Sequence, residues 1–154
     1  MSKCIISDST CLIALDRIGQ LTLLKQLFEQ IYVPTAVHRE FGKKVNWIKV
    51  TSVHNPIAIK TLMIQIDAGE SEVIALALEM QDCVAILDDK KARRIAQDIG
   101  LKITGTVGLL LKAKKDGVIG KIKPLLDQLN EAGFHVGGSL YQNALRLANE
   151  IDEP

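Results

Sequence analysis

Aromatic side chains are nearly missing from this chain: three Phe, two Tyr and one Trp make up 4% of 154 residues. Aliphatic side chains must therefore fill whatever core it builds. Cysteine is scarce as well, at positions 4, 11 and 83. The odd count, with no C-x-x-C or Cys/His ligand spacing, speaks against a disulfide scaffold and a zinc site and for a reducing compartment. His38, His54 and His135 share no ligand spacing and read as structural or exposed. Neither sign of charge dominates, with 19 Lys plus Arg against 18 Asp plus Glu. That excludes a generic polycation, so affinity for nucleic acid must come from local patches. No apolar run approaches the length of a membrane span. The opening M-S-K-C-I-I-S-D reaches an acid too soon for a signal peptide. A soluble cytoplasmic protein without membrane association is the expectation.

What is present is a 47% hydrophobic chain, enough to bury a core in one domain spanning residues 1–154. Residues 4–7 (C-I-I-S) form a short apolar run of the kind buried on both faces of a parallel sheet. Helical spacing follows over 9–16 and 21–28, with Leu21, Leu24, Leu27 and Phe28 on one stripe. Ile31-Tyr32-Val33 predicts a second strand. Pro34 then opens a helix through Glu40, closed by Gly42. Residues 43–56 are the least regular, with Ile48 to Val53 a short edge strand. A helix from Pro56 to about Ile66 and another from Gly69 to Met80 precede a strand over 83–87. A helix over 90–99, a strand over 101–104 and a helix capped by Thr106 and ending near Lys115 come next. Two further helices cover about 119–132 and 140–150. Alternating apolar strands and helices predict an α/β fold: three α/β/α layers around a central parallel sheet, with extra C-terminal helices.

The placement of certain acids carries the functional signal. Asp8 follows the first strand, and Asp88 and Asp89 follow the strand 83–87. Ligands of open parallel sheets bind beyond the carboxyl ends of the strands. Glu40 ends a helix that itself follows a strand, and Glu70 and Glu72 begin another. Taken singly, each has an ordinary explanation: Asp8 and Asp89 as helix caps, Glu70 and Glu72 as partners of a helix dipole, Glu40 as a surface acid. Taken together, they point at one sheet edge. Carboxylates within about 4–6 Å of one another raise each other's pKa unless a cation neutralises them. An all-oxygen donor set selects a hard ion, Mg²⁺ or Mn²⁺. Paired ions about 3.5–4 Å apart stabilise both oxygens of a phosphodiester displacement.

These segments resemble the PIN domain, the fold of many metal-dependent ribonucleases, including VapC-type toxins. I-I-S-D-S-T-C-L-I-A-L (5–15), V-P-T-A-V-H-R-E-F (33–41), G-E-S-E-V-I-A-L-A (69–77) and A-I-L-D-D-K-K-A-R (85–93) match its four motifs in order. T-G-T-V-G-L-L-L-K-A-K (104–114) is similar to a segment of one prokaryotic branch. The likeness covers roughly residues 4–135. It implies a metal-dependent RNA endonuclease, commonly a homodimer, whose toxin members are silenced by an antitoxin tail. Carried over, the catalytic and metal-binding acids are Asp8, Glu40, Glu72 and Asp89, with Glu70 and Asp88 as alternative ligands. Glu72 is favoured because Glu70 sits at the start of its helix, and Asp89 because it matches the family's acid more closely. Leu-Asp-Asp at 87–89 departs from the Thr/Ser-x-Asp usual in toxins, which motivates a second reading, a catalytically silent protein-interaction module.

Ser9 and Thr10 are candidates to orient Asp8 or a bound water, or are local caps. Lys90, Arg93 and Thr106 are candidates to hold phosphate, against the simpler readings of a solvated helix face and an N-cap. A phosphoacceptor domain is a third reading. It fits less well, because the acid pair follows a late strand and Thr10 stands where a second Asp of a D-x-D motif belongs.

Overall fold

The computed structural model describes residues 2–151. Five strands form one parallel sheet in the order β3-β2-β1-β4-β5. They are β1 (Ser2–Ser7), β2 (Phe28–Pro34), β3 (Ile48–Thr51), β4 (Val84–Ile86) and β5 (Ile103–Thr104). The chain starts in the middle, builds outward through β2 and β3, and returns to the other side of β1 for β4 and β5. The point of reversal lies between β1 and β4. Crevices open there, because the connections leaving the two strands diverge.

Helices cover the sheet: α1 (Ser9–Arg17), α2 (Leu23–Leu27), α3 (Thr35–Phe41), α4 (Pro56–Leu62), α5 (Ala68–Glu79), α6 (Lys90–Ile99), α7 (Thr106–Lys115), α8 (Lys123–Glu131) and α9 (Gly138–Leu147). Ile5 and Ile6 point to opposite faces of β1, and both are fully buried. Both faces of the sheet are therefore covered, as the three-layer arrangement requires. Helix α5 packs across β1, β2 and β4, with α3 and α4 beside it. Its Val73, Ile74, Ala75, Leu76 and Ala77 are all buried, more than the single apolar stripe that spacing alone suggests. A helix apolar all round is one with neighbours on every side.

Several boundaries shift from the sequence expectation. Helix α2 ends at Leu27, and Phe28 begins β2 by pairing with Ser2. Helix α4 stops at Leu62, α8 starts at Lys123, and α9 runs Gly138–Leu147. Glu150, placed in the last helix by spacing, lies beyond it. Its carboxylate accepts from the backbone N–H of Ile122 and Lys123 and from the Lys114 ammonium. It thereby satisfies amides at the start of α8, which lacks a side-chain cap of its own.

The cysteine reading needs correction. Cys4 and Cys83 form a disulfide with their Cα atoms 4.9 Å apart. The register that sets Ile5 against Val84 places the two preceding residues side by side on adjacent strands. Spacing along the chain, 79 residues, gives no hint of this. Cys11 is the free cysteine among the described residues and is fully buried. Burial first, then the charges of Asp8 and Asp88, push its thiol well above the usual range. Thiol titration should accordingly count none in the native protein and one in denaturant. Cys4→Ser should cost about 2–4 kcal/mol of unfolding free energy, measured by urea titration. Three thiols in denaturant would contradict the pairing.

Candidate active site

The end of β1 delivers Asp8 and the end of β4 delivers Asp88, one on each side of the reversal point. The backbone N–H of Asp8 donates to the Ile86 carbonyl at 3.1 Å, tying the two strand ends together. Asp8 is the N-cap of α1, its Oδ1 accepting from Cys11 N–H at 2.9 Å. Its Oδ2 accepts from Asp88 N–H at 3.0 Å. Asp8 is therefore a cap and a site residue at once: the two readings offered by the sequence are not exclusive. It is 4% exposed. Burial above all, then the charges of Asp88 and Glu70, push its pKa to about 8, against the opposing pull of the two amides.

Asp88 is held by α7. Its Oδ1 accepts from Thr106 N–H at 2.8 Å and its Oδ2 from the Thr106 hydroxyl at 2.6 Å. This corrects the expectation of Thr106 as N-cap: Gly105 occupies that position, and both polar groups of Thr106 serve Asp88. The T-G-T-V-G segment now has a physical reason. A Cβ at residue 105 would come within 2.9 Å of both Asp88 Oδ1 and Arg93 Nη1. A Cβ at residue 108 would meet the Thr104 hydroxyl at 2.4 Å. Glycine at both positions lets the positive end of α7 approach β5 and the carboxylate.

Glu40, at the end of α3, accepts from the Ser9 hydroxyl at 3.1 Å. A Cβ on Gly69 would lie 2.3 Å from Glu40 Oε1, so Gly69 makes room for that carboxylate at the start of α5. Glu70 follows directly. Burial, a hydrogen bond with Asp67, the Asp67 charge and then the Asp89 charge push it to about 7. Asp67 caps α5, its Oδ1 accepting from Glu70 N–H at 3.0 Å. The sequence reading missed Asp67. Its signal was the D-A-G-E run at 67–70, an acidic cap followed three residues later by Glu.

Asp8 and Asp88 thus meet at the carboxyl ends of β1 and β4, close enough to Glu70 for its charge to act on Asp8. Glu40 lies beside Ser9 and Gly69, and Asp67 and Asp89 act on Glu70. Two of the expected four acids also carry structural hydrogen bonds. Glu72 Oε1 accepts from Ala36 N–H at 3.1 Å, satisfying the first turn of α3. Asp89 caps α6, its Oδ2 accepting from Ala92 N–H at 2.9 Å. Thr10 is exposed beside Asp88, and both line one groove. Lys90 and Arg93 line another, although Arg93 spends one N–H on the Leu87 carbonyl at 2.8 Å.

Among the described residues no three acids, histidines or cysteines stand together in a ready-made ion cage. The donor set nevertheless suits a hard cation. Mg²⁺ typically keeps several waters and binds through one or two carboxylates plus substrate phosphates, not through an all-protein cage. The raised affinities of Asp8 and Glu70 for protons mark a place where negative charge is held at a cost that a cation would offset.

A family model described as "DUF3368: PIN domain" matches residues 4–150. The chain belongs to the PIN-domain family, whose members are generally nucleases that use divalent metals. No curated protein and no solved structure matches it significantly. No helix among the described residues is long and apolar enough to cross a membrane.

Proposed function

We propose that the protein is a Mg²⁺- or Mn²⁺-dependent RNA endonuclease in which Asp8, Glu70 and Asp88 are the central acids and Glu40 stands at their edge. The convergence of Asp8 and Asp88 on the reversal point of the sheet carries this reading, supported by family membership. Bound there, a divalent ion would supply an activated water and neutralise charge developing on the phosphate. The chain's own groups do the rest. Thr106 and the amides of Cys11 and Asp88 fix the two aspartates, and Ser9 orients Glu40. Lys90 and Arg93 draw the phosphate backbone toward the acids, making affinity fall with salt.

Single-domain use of residues 1–154, a cytoplasmic location, a toxin role with an antitoxin partner, and a homodimer belong to the same proposal. For the dimer, Ile57 and Ile64 on and after α4 are 73% and 82% exposed and supply apolar surface.

The reading separates two neighbouring glutamates. Glu70→Gln should reduce Mn²⁺-dependent cleavage of a mixed RNA pool by about tenfold or more. Glu72→Gln keeps an acceptor for Ala36 N–H and should leave cleavage within about twofold. The reverse order would return the role to Glu72.

One observation favours a silent module: every carboxylate oxygen of Asp8 and Asp88 already accepts one protein hydrogen bond. On that reading no RNA is cut in Mn²⁺ by the wild type.

A further inference from the structure

Two grooves meet at Asp88. One, of about 420 Å³, carries Lys90 and Arg93 beside Gly105 and Gly108. The other, of about 200 Å³, is lined by Thr10, Val107, Phe134, His135, Val136 and Leu140 among others. Asp88, Val107 and Leu140 border both. Asp88 therefore sits between a cationic trough and a small, mainly apolar slot. The slot's one aromatic ring, Phe134, is half-buried and has the Arg17 guanidinium 5.2 Å from its centre. Packing and that cation hold the ring in place. Leu140 is 50% exposed, and His135 is exposed, so the slot is open to solvent on the side away from the core.

We infer that this slot seats one unstacked nucleobase of a single-stranded RNA whose backbone crosses Asp88 toward Lys90. The inference rests on the nuclease reading above and names the substrate form that site would take. Single strands are recognised by bases splayed onto aromatic and histidine faces, beside cations that track the phosphates. The slot has a ring, an imidazole and aliphatic walls on one side of Asp88, and the cations lie on the other. A paired base has no free face to offer it. A duplex is thereby excluded, and the strand is placed with a base on the Phe134 side and its phosphates on the Lys90 side.

The test is binding by fluorescence anisotropy, in an Asp8→Asn background so that the strand stays intact. A short single-stranded RNA is compared with versions lacking one base at each position in turn. Removal at one position should weaken binding by about tenfold, the usual scale for one stacked base. Phe134→Leu, which keeps apolar volume but removes the ring, and the surface variants His135→Ala and Leu140→Ala should abolish that sensitivity at that position only. Equal binding of intact and base-lacking strands overturns the inference. So do variants that retain the full sensitivity, the outcome expected if a protein side chain fills the slot instead. If the wild type cuts RNA in Mn²⁺ while either result holds, only the base slot fails. If it neither binds nor cuts RNA, the nuclease reading fails as well.

Discussion

Asp8→Asn should lower Mn²⁺-dependent RNA cleavage by at least about a hundredfold, the scale expected when a central acid of a metal-assisted hydrolase is neutralised. The fold should survive. Asparagine's Oδ1 still accepts from Cys11 N–H, so the α1 cap is kept, while its amide nitrogen replaces the oxygen that met Asp88 N–H. Circular dichroism unchanged from wild type, alongside lost cleavage, separates chemistry from unfolding. Cleavage that persists undiminished would remove Asp8 from the mechanism, and with it the reading of the β1/β4 junction as an active site.

The second large effect concerns stability against pH. The Asp8 pKa stands near 8 in the folded chain, raised from 3.8 chiefly by burial. The folded state therefore holds this proton more tightly than the unfolded state does. Any stabilisation it gives is fully present below about pH 4 and drains away as pH rises through 8. Glu70, raised to about 7, acts in the same sense over a window ending lower. Other acids work oppositely. Glu79, despite its burial, is held down by the His54 amide and imidazole and the Asn55 amide. Glu150, likewise against its burial, is held down by the Ile122 amide, the Lys114 ammonium and the Lys123 amide. Their contributions vanish on acidification. In chelator, unfolding free energy should peak at mildly acid pH and fall by a few kcal/mol toward pH 8. Asp8→Asn should flatten that alkaline limb, and Mn²⁺ should restore the wild type by binding the folded state alone. Urea titrations across the pH range read all three. A wild-type curve rising toward pH 8 in chelator would contradict the assignment.

Local pattern was a good guide where an element's own residues decide its form. The double-faced apolar run at 4–7, the Pro34-to-Gly42 helix and the acids at the strand ends, Asp8 and the Asp88-Asp89 pair, were all legible, because burial on both faces and capping are local demands. What the local pattern does not show depends on partners distant in sequence. Phe28 continues the stripe of Leu21, Leu24 and Leu27, yet pairing with Ser2 draws it into the sheet. Glu70 and Glu72 are equivalent as letters. The approach of α3 to α5 gives Ala36 N–H to one of them and leaves the other among the acids. Thr106 fits a cap by type, but a carboxylate 18 residues earlier claims both its donors. The Cys4–Cys83 bridge follows from a strand register that neither cysteine announces.

The most direct test is calorimetric titration of the wild type with Mn²⁺ at pH 7, repeated in two buffers of different ionisation enthalpy. Binding should release about one proton per ion, because Asp8 and Glu70 hold protons that the cation displaces. Asp8→Asn should abolish the binding. Mn²⁺ that does not bind, or binds equally to the variant and without proton release, would contradict the account.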